Sequence, residues 1–287
     1  MKLVASDMDG TLLGQDGRIS KRNAEAIHAL QNQGIRFVVC TGRAYEDAAV
    51  PMREQDIACD IICMNGAAVY DASGNQTAKR PLKTEQVRRI IESCKGDWSE
   101  VGFDFMTNYG SYTLSSREQF RDCFERGILL PMAGGITFSS ISSRFQFVTE
   151  AELFAEDVEI FKASVVHENP FILEQIKTRL REDQHLAIAA SHHTNLELTE
   201  RGAQKGIALT KYAQMQGIRA REIMALGDSE NDLSMLSLPL GYTIAMENAA
   251  EVVKQTARCQ TRSNEADGVA YAIETMILSP EAQEQVS

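Results

Sequence analysis

The strongest constraint on the fold is a strand, helix, strand pattern at the start of the chain. Residues 3–5 form a short apolar run, and residues 35–40 form a second one. Between them, Ser20 is placed to cap a helix that Gly34 closes. Two buried strands joined by a helix form a right-handed βαβ unit whose strands are parallel. The pattern therefore predicts a parallel sheet.

The same alternation returns near the end of the chain. Residues 222–226 and 240–245 predict further strands of the parallel sheet, each followed by a helix. In the middle of the chain, apolar residues such as Phe103 and Phe105 alternate with polar ones, which is typical of a half-solvated antiparallel sheet. We therefore expect a doubly wound α/β core domain over residues 1–81 and 191–287, with an α+β domain over residues 82–190 inserted into it.

Composition excludes several classes of function. The net charge of −11 opposes approach to nucleic acid or to an anionic membrane surface. No apolar run approaches the ~18 residues needed to span a bilayer, and the first residues lead directly into a strand without a signal-peptide pattern. The six cysteines lack the paired spacing of a zinc site, so reduced and mostly buried thiols are expected. These features predict a cytoplasmic protein with no nucleic-acid or membrane partner.

Two carboxylates follow the first predicted strand. Asp7 and Asp9 lie two residues apart, Gly10 frees the backbone and Thr11 offers a hydroxyl. This arrangement suits a divalent cation bound beside a nucleophile. A simple turn is the alternative, because Asp and Gly are common turn residues.

Other polar residues follow the second strand. Thr41 and Gly42 precede the next helix, and a hydroxyl with free backbone amides at a helix N-terminus favours an anion such as phosphate. Thr41 can equally be the helix cap, and Arg43 can contact a substrate or pair on the surface.

Lys205 and Asp228 stand in positions that a purely structural role explains poorly. Lys205 begins a helix, where a positive charge is unfavourable because of the helix dipole. Binding to a phosphate or to a cluster of carboxylates explains a lysine at this position better. Asp228 directly follows a buried strand, which suits a metal-ligating carboxylate. Ser229 and Asp232, three residues apart, also fit a capping box for the helix that follows.

Taken together, these stretches resemble the motifs of the haloacid dehalogenase superfamily, in that family's order. The stretches are Asp7-Met8-Asp9-Gly10-Thr11, Thr41-Gly42-Arg43, Lys205 and Gly227-Asp228-Ser229-Glu230-Asn231-Asp232. Further stretches are similar to the Cof-type branch, namely Asn65-Gly66-Ala67, Ala245-Met246-x-Asn248-Ala249 and Asp267-Gly268-Val269-Ala270. The resemblance implies a Rossmann-like core with an inserted cap domain of the C2B type. Glu247 departs from the branch, which usually has Gly at that position.

The resemblance implies phosphoryl transfer through an aspartyl-phosphate with Mg²⁺ as the cofactor. Asp7 is then the nucleophile and a metal ligand. Asp9 is the acid and base and ligates the metal through its backbone carbonyl, and Asp228 completes the metal site. Thr41 and Lys205 hold the transferring phosphoryl group. The remaining roles are substrate binding by Thr11, Gly42, Arg43, Lys205 and Asn231, and positioning of Lys205 and of the metal's waters by Asn231 and Asp232.

The resemblance implies hydrolysis of a small phosphate ester, with sugar phosphates or phosphorylated cofactors such as flavin mononucleotide or pyridoxal phosphate as the substrate class. A phosphomutase with the same core and cap is one alternative, and a phosphate-sensing module without catalysis is another. In the inserted domain, the polar candidates for selecting the substrate are Asn108, Tyr109, Arg144 and Lys162.

Overall fold

The computed structural model describes residues 1–95, 102–127 and 137–279. The chain divides into two compact units, of which the first comprises Met1–Lys79 and Gln204–Ser287 and the second comprises Arg80–Ala203. The first unit is therefore made of two segments of the chain, and the second unit lies between them in the sequence.

Strands alternate with helices through most of the chain. The strands are β1 (Leu3–Ser6), β2 (Arg36–Cys40), β3 (Asp60–Cys63), β4 (Ala68–Tyr70), β5 (Gln76–Lys79), β6 (Gly102–Thr107), β7 (Gly110–Thr113), β8 (Phe145–Phe147), β9 (Ile160–Val166), β10 (Leu186–Ala189), β11 (Asn195–Glu200), β12 (Ile223–Gly227), β13 (Tyr242–Ala245) and β14 (Cys259–Gln260).

The α-helices are α1 (Lys21–Asn32), α2 (Tyr45–Glu54), α3 (Thr84–Ser93), α4 (Arg117–Glu125), α5 (Phe138–Ser142), α6 (Glu150–Leu153), α7 (Pro170–Leu180), α8 (Lys205–Met215), α9 (Leu233–Leu236), α10 (Glu251–Thr256) and α11 (Gly268–Ile273). Ser20 caps α1 as expected, because its side chain accepts a hydrogen bond from the Asn23 amide. Among the helices of the described ranges, none is long and apolar enough to cross a membrane.

The sheet of the first unit has the strand order β14-β13-β12-β1-β2-β3-β4-β5. Its strands pair in parallel from β14 to β3, which confirms the predicted parallel sheet. The pairs β3–β4 and β4–β5 are antiparallel, because a hairpin extends the sheet at this edge. Strand β1 is fully buried between β2 and β12, so its carboxyl end lies at the centre of the sheet's edge.

The sheet of the second unit has the order β10-β11-β9-β6-β7-β8. Its pairs are antiparallel, as the alternating pattern predicts, apart from the parallel pair β7–β8. One face packs its apolar residues, including Phe105 and Val165, against α3 and α7. Strand β11 pairs with both β9 and β10, which explains why the second unit extends past residue 190.

Candidate active site

Parallel pairing brings three polar residues to one edge of the first unit's sheet. Asp7 follows β1, Thr41 follows β2 and Asp228 follows β12, and β1 pairs in parallel with both other strands. The carboxyl ends of neighbouring parallel strands are the usual place for a ligand in an open α/β sheet. The fold therefore collects the predicted residues where a substrate can bind.

Lys205 is the centre of this group. Its side chain is completely buried at the first residue of α8. The Lys205 Nζ donates hydrogen bonds to Asp7 Oδ1 at 2.6 Å and to Asp232 Oδ1 at 2.7 Å, and it lies 3.5 Å from Asn231 Oδ1. A cation at a helix N-terminus is explained here by the carboxylates that surround it.

The electrostatics of Asp7 and Lys205 are set by burial and by each other. Burial lowers the pKa of Lys205, but the charges of Asp232 and Asp7 outweigh burial, so the pKa lies above its ordinary value and the ammonium stays charged. Burial raises the pKa of Asp7 well above its ordinary value, the charge of Asp232 adds to the effect, and Lys205 opposes it. Without further positive charge, the buried cluster favours a protonated carboxyl.

Asp228 is held by two hydroxyl groups. Thr11 Oγ1 donates to Asp228 Oδ1 at 2.8 Å, and Ser229 Oγ donates to Asp228 Oδ2 at 2.9 Å. Burial and then the charge of Asp232 raise the pKa of Asp228 to about 6, although both hydrogen bonds act in the opposite direction. Gly10 lies directly against this carboxylate, since a Cβ atom at that position would collide with it.

The carboxylates fit a divalent cation. In the described part of the chain, one oxygen from each of Asp7, Asp228 and Asp232 lies within 4.8 Å of the others. Asp232 also accepts hydrogen bonds from the backbone amides of Asp228 and Ser229 at 2.9 and 3.1 Å. The carboxylates supply oxygen ligands, and together they carry more negative charge than Lys205 can neutralise. Both features suit a hard cation such as Mg²⁺.

Asp9 is separate from this cluster. Arg43 Nε donates to Asp9 Oδ2 at 2.7 Å, and Arg43 Nη2 donates to Asp9 Oδ1 at 2.5 Å. The Asp9 side chain is 61% exposed and that of Arg43 is 29% exposed. The structure thus brings Asp9 and Arg43 together as a bidentate ion pair at the solvent side of the site.

Thr41 and Gly42 form a turn between β2 and α2. Thr41 is fully buried, and its hydroxyl accepts a hydrogen bond from the Arg43 amide at 3.1 Å. Ala44, not Thr41, is the N-cap of α2. This turn packs against the next one, because the Asn65 amide donates to the Thr41 carbonyl and the Met64 amide to the Arg43 carbonyl.

Ser229 and Asn65 take part in the site beyond what the sequence assigned to them. Ser229 holds Asp228 through its side chain, in addition to the turn that a capping box predicts. Asn231 Nδ2 lies 3.4 Å from Asn65 Oδ1, and Asn65 has a left-handed backbone with φ of 57°. The Asn-Gly pair predicts a turn at Asn65, but its contact with Asn231 comes from residues far along the chain.

The polar candidates of the second unit have separate structural contacts. Lys162 is buried and its Nζ donates to Glu197 Oε1 at 2.9 Å. Asn108 and Tyr109 both bind Asp157, through its carbonyl at 3.0 Å and its carboxylate at 2.8 Å. Arg144 is exposed. Asn108, Tyr109 and Lys162 therefore already serve contacts within their own unit.

Known proteins that resemble this chain include haloacid dehalogenase-like hydrolases and phosphatases. A sequence model of the family described as haloacid dehalogenase-like hydrolase matches residues 4–273. The chain is similar to 5-amino-6-(5-phospho-D-ribitylamino)uracil phosphatase YwtE of Bacillus subtilis (strain 168), with 29% identity covering 96% of this chain and 98% of the relative. It is also similar to Phosphatase YwpJ of the same strain, with 30% identity covering 96% and 100%. A solved haloacid dehalogenase-like hydrolase from B. subtilis has a TM-score of 0.82 and 29% identity, covering 96% of this chain and 100% of the other.

Proposed function

Since this chain belongs to the haloacid dehalogenase-like hydrolase family and is an enzyme of the phosphatase type, we propose that it is a Mg²⁺-dependent phosphomonoesterase that forms an aspartyl-phosphate on Asp7. One observation carries the proposal: the buried Lys205 ammonium lies 2.6 Å from Asp7 Oδ1, beside Asp228 and Asp232. A carboxylate and a cation held together suit the attack of a nucleophile on an anionic phosphoryl group.

In the first step, a carboxylate oxygen of Asp7 forms a bond to phosphorus as the bond from phosphorus to the ester oxygen breaks. Lys205 and Thr41 hold the phosphoryl oxygens, because charge neutralisation and in-line placement are the main demands of this reaction. Asp9 donates a proton to the departing ester oxygen, which leaves as an alcohol.

In the second step, water attacks the phosphorus of the aspartyl-phosphate. Asp9, now a carboxylate, accepts the proton of that water as the bond between phosphorus and Asp7 breaks. Phosphate leaves and the Asp7 carboxylate is restored. The exposed position of Asp9 supports this role, since the alcohol leaves towards the solvent side and the water enters from it.

The metal would be held by the carboxylates of Asp7 and Asp228 and by the backbone carbonyl of Asp9. Asp232 and Asn231 keep Lys205 in place, which the contacts at 2.7 and 3.5 Å support. When bound, Mg²⁺ neutralises charge on the phosphoryl oxygens. Burial and then the charge of Asp232 raise the pKa values of Asp7 and Asp228. A bound cation would offset both effects, which supports this assignment.

Arg43, Gly42 and Asn231 are assigned to substrate binding. Arg43 is already directed to the solvent side of the site by Asp9. Its planar guanidinium can exchange a carboxylate for a phosphate, because both accept two parallel hydrogen bonds. Thr11 is also assigned to substrate binding, and its hydroxyl donates to Asp228 Oδ1 at 2.8 Å.

The substrate class that we propose is sugar phosphates or phosphorylated cofactors. The name of the similar protein YwtE, a phosphatase of a phosphorylated ribitylamino-uracil, supports a small polar alcohol as the leaving group. The inserted second unit is proposed to act as the cap that selects it. All six cysteines are free thiols, which supports an enzyme that works in the reducing cytoplasm.

The test is phosphate release from a panel of phosphomonoesters, with and without Mg²⁺. The panel contains hexose phosphates, flavin mononucleotide, pyridoxal phosphate and a phosphorylated ribitylamino-uracil. Wild type is compared with Asp7→Asn, which keeps the shape and removes the nucleophile. Asp56→Asn is the matched control, because Asp56 is exposed and has a left-handed backbone that Asn tolerates.

We expect Mg²⁺-dependent release by wild type and by Asp56→Asn, and a loss of at least about a thousandfold in Asp7→Asn. An isomerised sugar phosphate in place of free phosphate would identify a phosphomutase. Binding of esters and Mg²⁺ without turnover of any panel member would identify a sensor. Either result would refute the phosphatase proposal.

A further inference from the structure

The loop that follows Asp7 is held by side chains from near the other end of the chain. Asn248 Nδ2 donates to the Gly10 carbonyl at 2.8 Å, and Asn264 Nδ2 donates to the Leu13 carbonyl at 2.9 Å. Backbone carbonyls in loops are usually satisfied by nearby backbone or by water. Two amide side chains directed at one loop therefore indicate a specific restraint on its shape.

Asn248 is itself fixed in orientation. Its Oδ1 accepts a hydrogen bond from the backbone amide of Asn264 at 3.0 Å, while its Nδ2 donates to the Gly10 carbonyl. If the Asn248 side-chain amide were flipped, its oxygen would face the Gly10 carbonyl oxygen and its nitrogen would face the Asn264 backbone N–H. Both hydrogen bonds would then be lost. The neighbouring Glu247 strengthens the arrangement, since its carboxylate accepts from the Ser263 amide at 3.2 Å. Glu247 and Asn248 thus bind successive amides of the same turn.

The target of Asn248 is a peptide group that has unusual freedom. Gly10 has a φ of 74°, so the Gly10–Thr11 peptide follows a glycine that can rotate at little cost. In the structure this peptide is fixed at both ends. Its carbonyl accepts from Asn248, and its N–H donates to the Met8 carbonyl at 3.2 Å.

The position of this peptide controls one of the two hydroxyl contacts that hold the Asp228 carboxylate. Thr11, whose N–H belongs to the peptide, donates its hydroxyl to Asp228 Oδ1 at 2.8 Å. Gly10 lies against the same carboxylate. Rotation of the peptide would therefore move Thr11 and disturb Asp228 without any change to the carboxylate itself.

We propose that Asn248 is a positioning residue, which holds the Gly10–Thr11 peptide so that Thr11 keeps Asp228 in place for the metal and the phosphoryl group. This role rests on the proposed phosphatase function. The Asn264 backbone amide holds the Asn248 side chain directly. Glu247 binds the preceding backbone amide, that of Ser263, and this contact gives Glu247 a structural role. Hydrogen-bonded residues behind a metal ligand typically change metal affinity or activity by 10- to 100-fold when they are substituted.

The test measures the loop before it measures activity. Amide hydrogen exchange at Thr11 is followed in the metal-free protein, with Ile27 in the buried face of α1 as the internal reference. Mg²⁺ affinity is measured by calorimetry, and kcat and KM by phosphate release. The variants are Asn248→Leu, which removes both hydrogen bonds, and Asn248→Asp, which keeps the acceptor and removes the donor to Gly10. Asn32→Leu, at an exposed residue of α1, is the matched control.

In Asn248→Leu we expect Thr11 to exchange at least about tenfold faster relative to Ile27, Mg²⁺ to bind about tenfold more weakly and kcat to fall 10- to 100-fold with KM nearly unchanged. Asn248→Asp should share the faster Thr11 exchange, and Asn32→Leu should match wild type. Thr11 exchange that is unchanged, or that rises only in step with Ile27, would overturn the positioning role. Exchange and metal binding do not require turnover, so a wild type that releases no phosphate refutes the proposed function separately.

Discussion

Arg43 binds both carboxylate oxygens of Asp9, although the two residues are 34 positions apart in the chain. The pair lies at the solvent side of the site, while Asp7, two residues before Asp9, is buried with Lys205. Two aspartates that are almost adjacent in sequence therefore have different electrostatic surroundings. This difference matches the division between a nucleophile and an acid that we propose for them.

Replacing Arg43 by Gln should affect activity more than stability. Since the pair with Asp9 is partly exposed, we expect the free energy of unfolding to fall by less than about 1 kcal/mol. We expect kcat/KM to fall at least about tenfold, because a charge-assisted hydrogen bond to the phosphoryl group contributes about 1.5–3 kcal/mol. Urea unfolding and steady-state kinetics measure the two effects. Arg53→Gln, at an exposed residue of α2, is the control, and an unchanged kcat/KM in Arg43→Gln would contradict the substrate role.

Replacing Lys205 by Met should destabilise the protein strongly at pH 8. The substitution leaves the buried carboxylates of Asp7 and Asp232 without their cation, which costs about 3–5 kcal/mol for a broken buried pair. The loss should be smaller at pH 5 than at pH 8, because the pKa of Asp7 is raised and lower pH favours the form without unpaired charge. Urea unfolding at both pH values measures this difference. Lys211→Met, exposed on the same helix, should change little at either pH, and an equal loss for Lys205→Met at both would refute the electrostatic explanation.

In the metal-free protein, Asp228 and Asp7 should contribute a loss of stability as the pH rises from about 4 to above 6. Burial and the charge of Asp232 raise the pKa of Asp228 from 3.8 to about 6, and the pKa of Asp7 is raised as well. An acid with a higher pKa in the folded state binds more protons there, so the free energy of unfolding decreases with pH between the two pKa values. Thermal unfolding of wild type and Asp228→Asn from pH 4 to 8 measures the contribution of Asp228 as the difference between their slopes, and the slope should be less negative in the variant.

Mg²⁺ should reverse that loss. A ligand at 100 times its Kd raises the free energy of unfolding by about 2.7 kcal/mol, and binding requires deprotonated carboxylates. The stabilisation by Mg²⁺ should therefore grow as the pH rises through 6 and be small in Asp228→Asn. Stabilisation by Mg²⁺ that is equal at pH 4.5 and pH 7.5 would contradict the proposed ligands.

The contribution of the buried ion pair between Lys162 and Glu197 to stability can be measured with single and double substitutions. Lys162→Met leaves Glu197 buried without its cation and should cost about 3–5 kcal/mol. The double substitution Lys162→Met with Glu197→Leu should recover most of that loss, because it removes both charges from the buried position. Urea unfolding of wild type, Lys162→Met, Glu197→Leu and the double variant measures the coupling. A double variant as unstable as the sum of its parts would contradict this account.

The apolar runs at residues 3–5 and 35–40 were sufficient to predict β1 and β2, because a fully buried parallel strand needs a continuous apolar stretch. Strand β5 has no such signal. All of its residues are exposed, and it is a strand only because it pairs with β4. Likewise, the apolar residues of β11 predict a strand but not which sheet it joins, since that depends on β9 and β10.

In the site, too, some contacts between residues distant in the chain could not be predicted from the sequence. The positions of Asp7, Lys205 and Asp228 at element ends predict a shared cluster, whereas the direction of the Asp9 side chain depends on Arg43. If the adjacent histidines His192 and His193 lay in a strand, their side chains would point to opposite faces of the sheet. The structure instead places them in the turn between β10 and β11, with ring centroids 3.9 Å apart. A local argument fails there because the backbone is not extended.

The arrangement of β1 between β2 and β12 has a consequence for protein synthesis. A nascent chain that has emerged only as far as Lys79 contains Asp7, Asp9 and Arg43, but neither Lys205 nor Asp228. Until Gly227 leaves the ribosome, β1 has an open edge where β12 will pair. Until Lys205 leaves it, Asp7, the proposed nucleophile, has no ammonium beside it. The order of translation thus keeps the unfinished enzyme without its active site until most of its residues have been added.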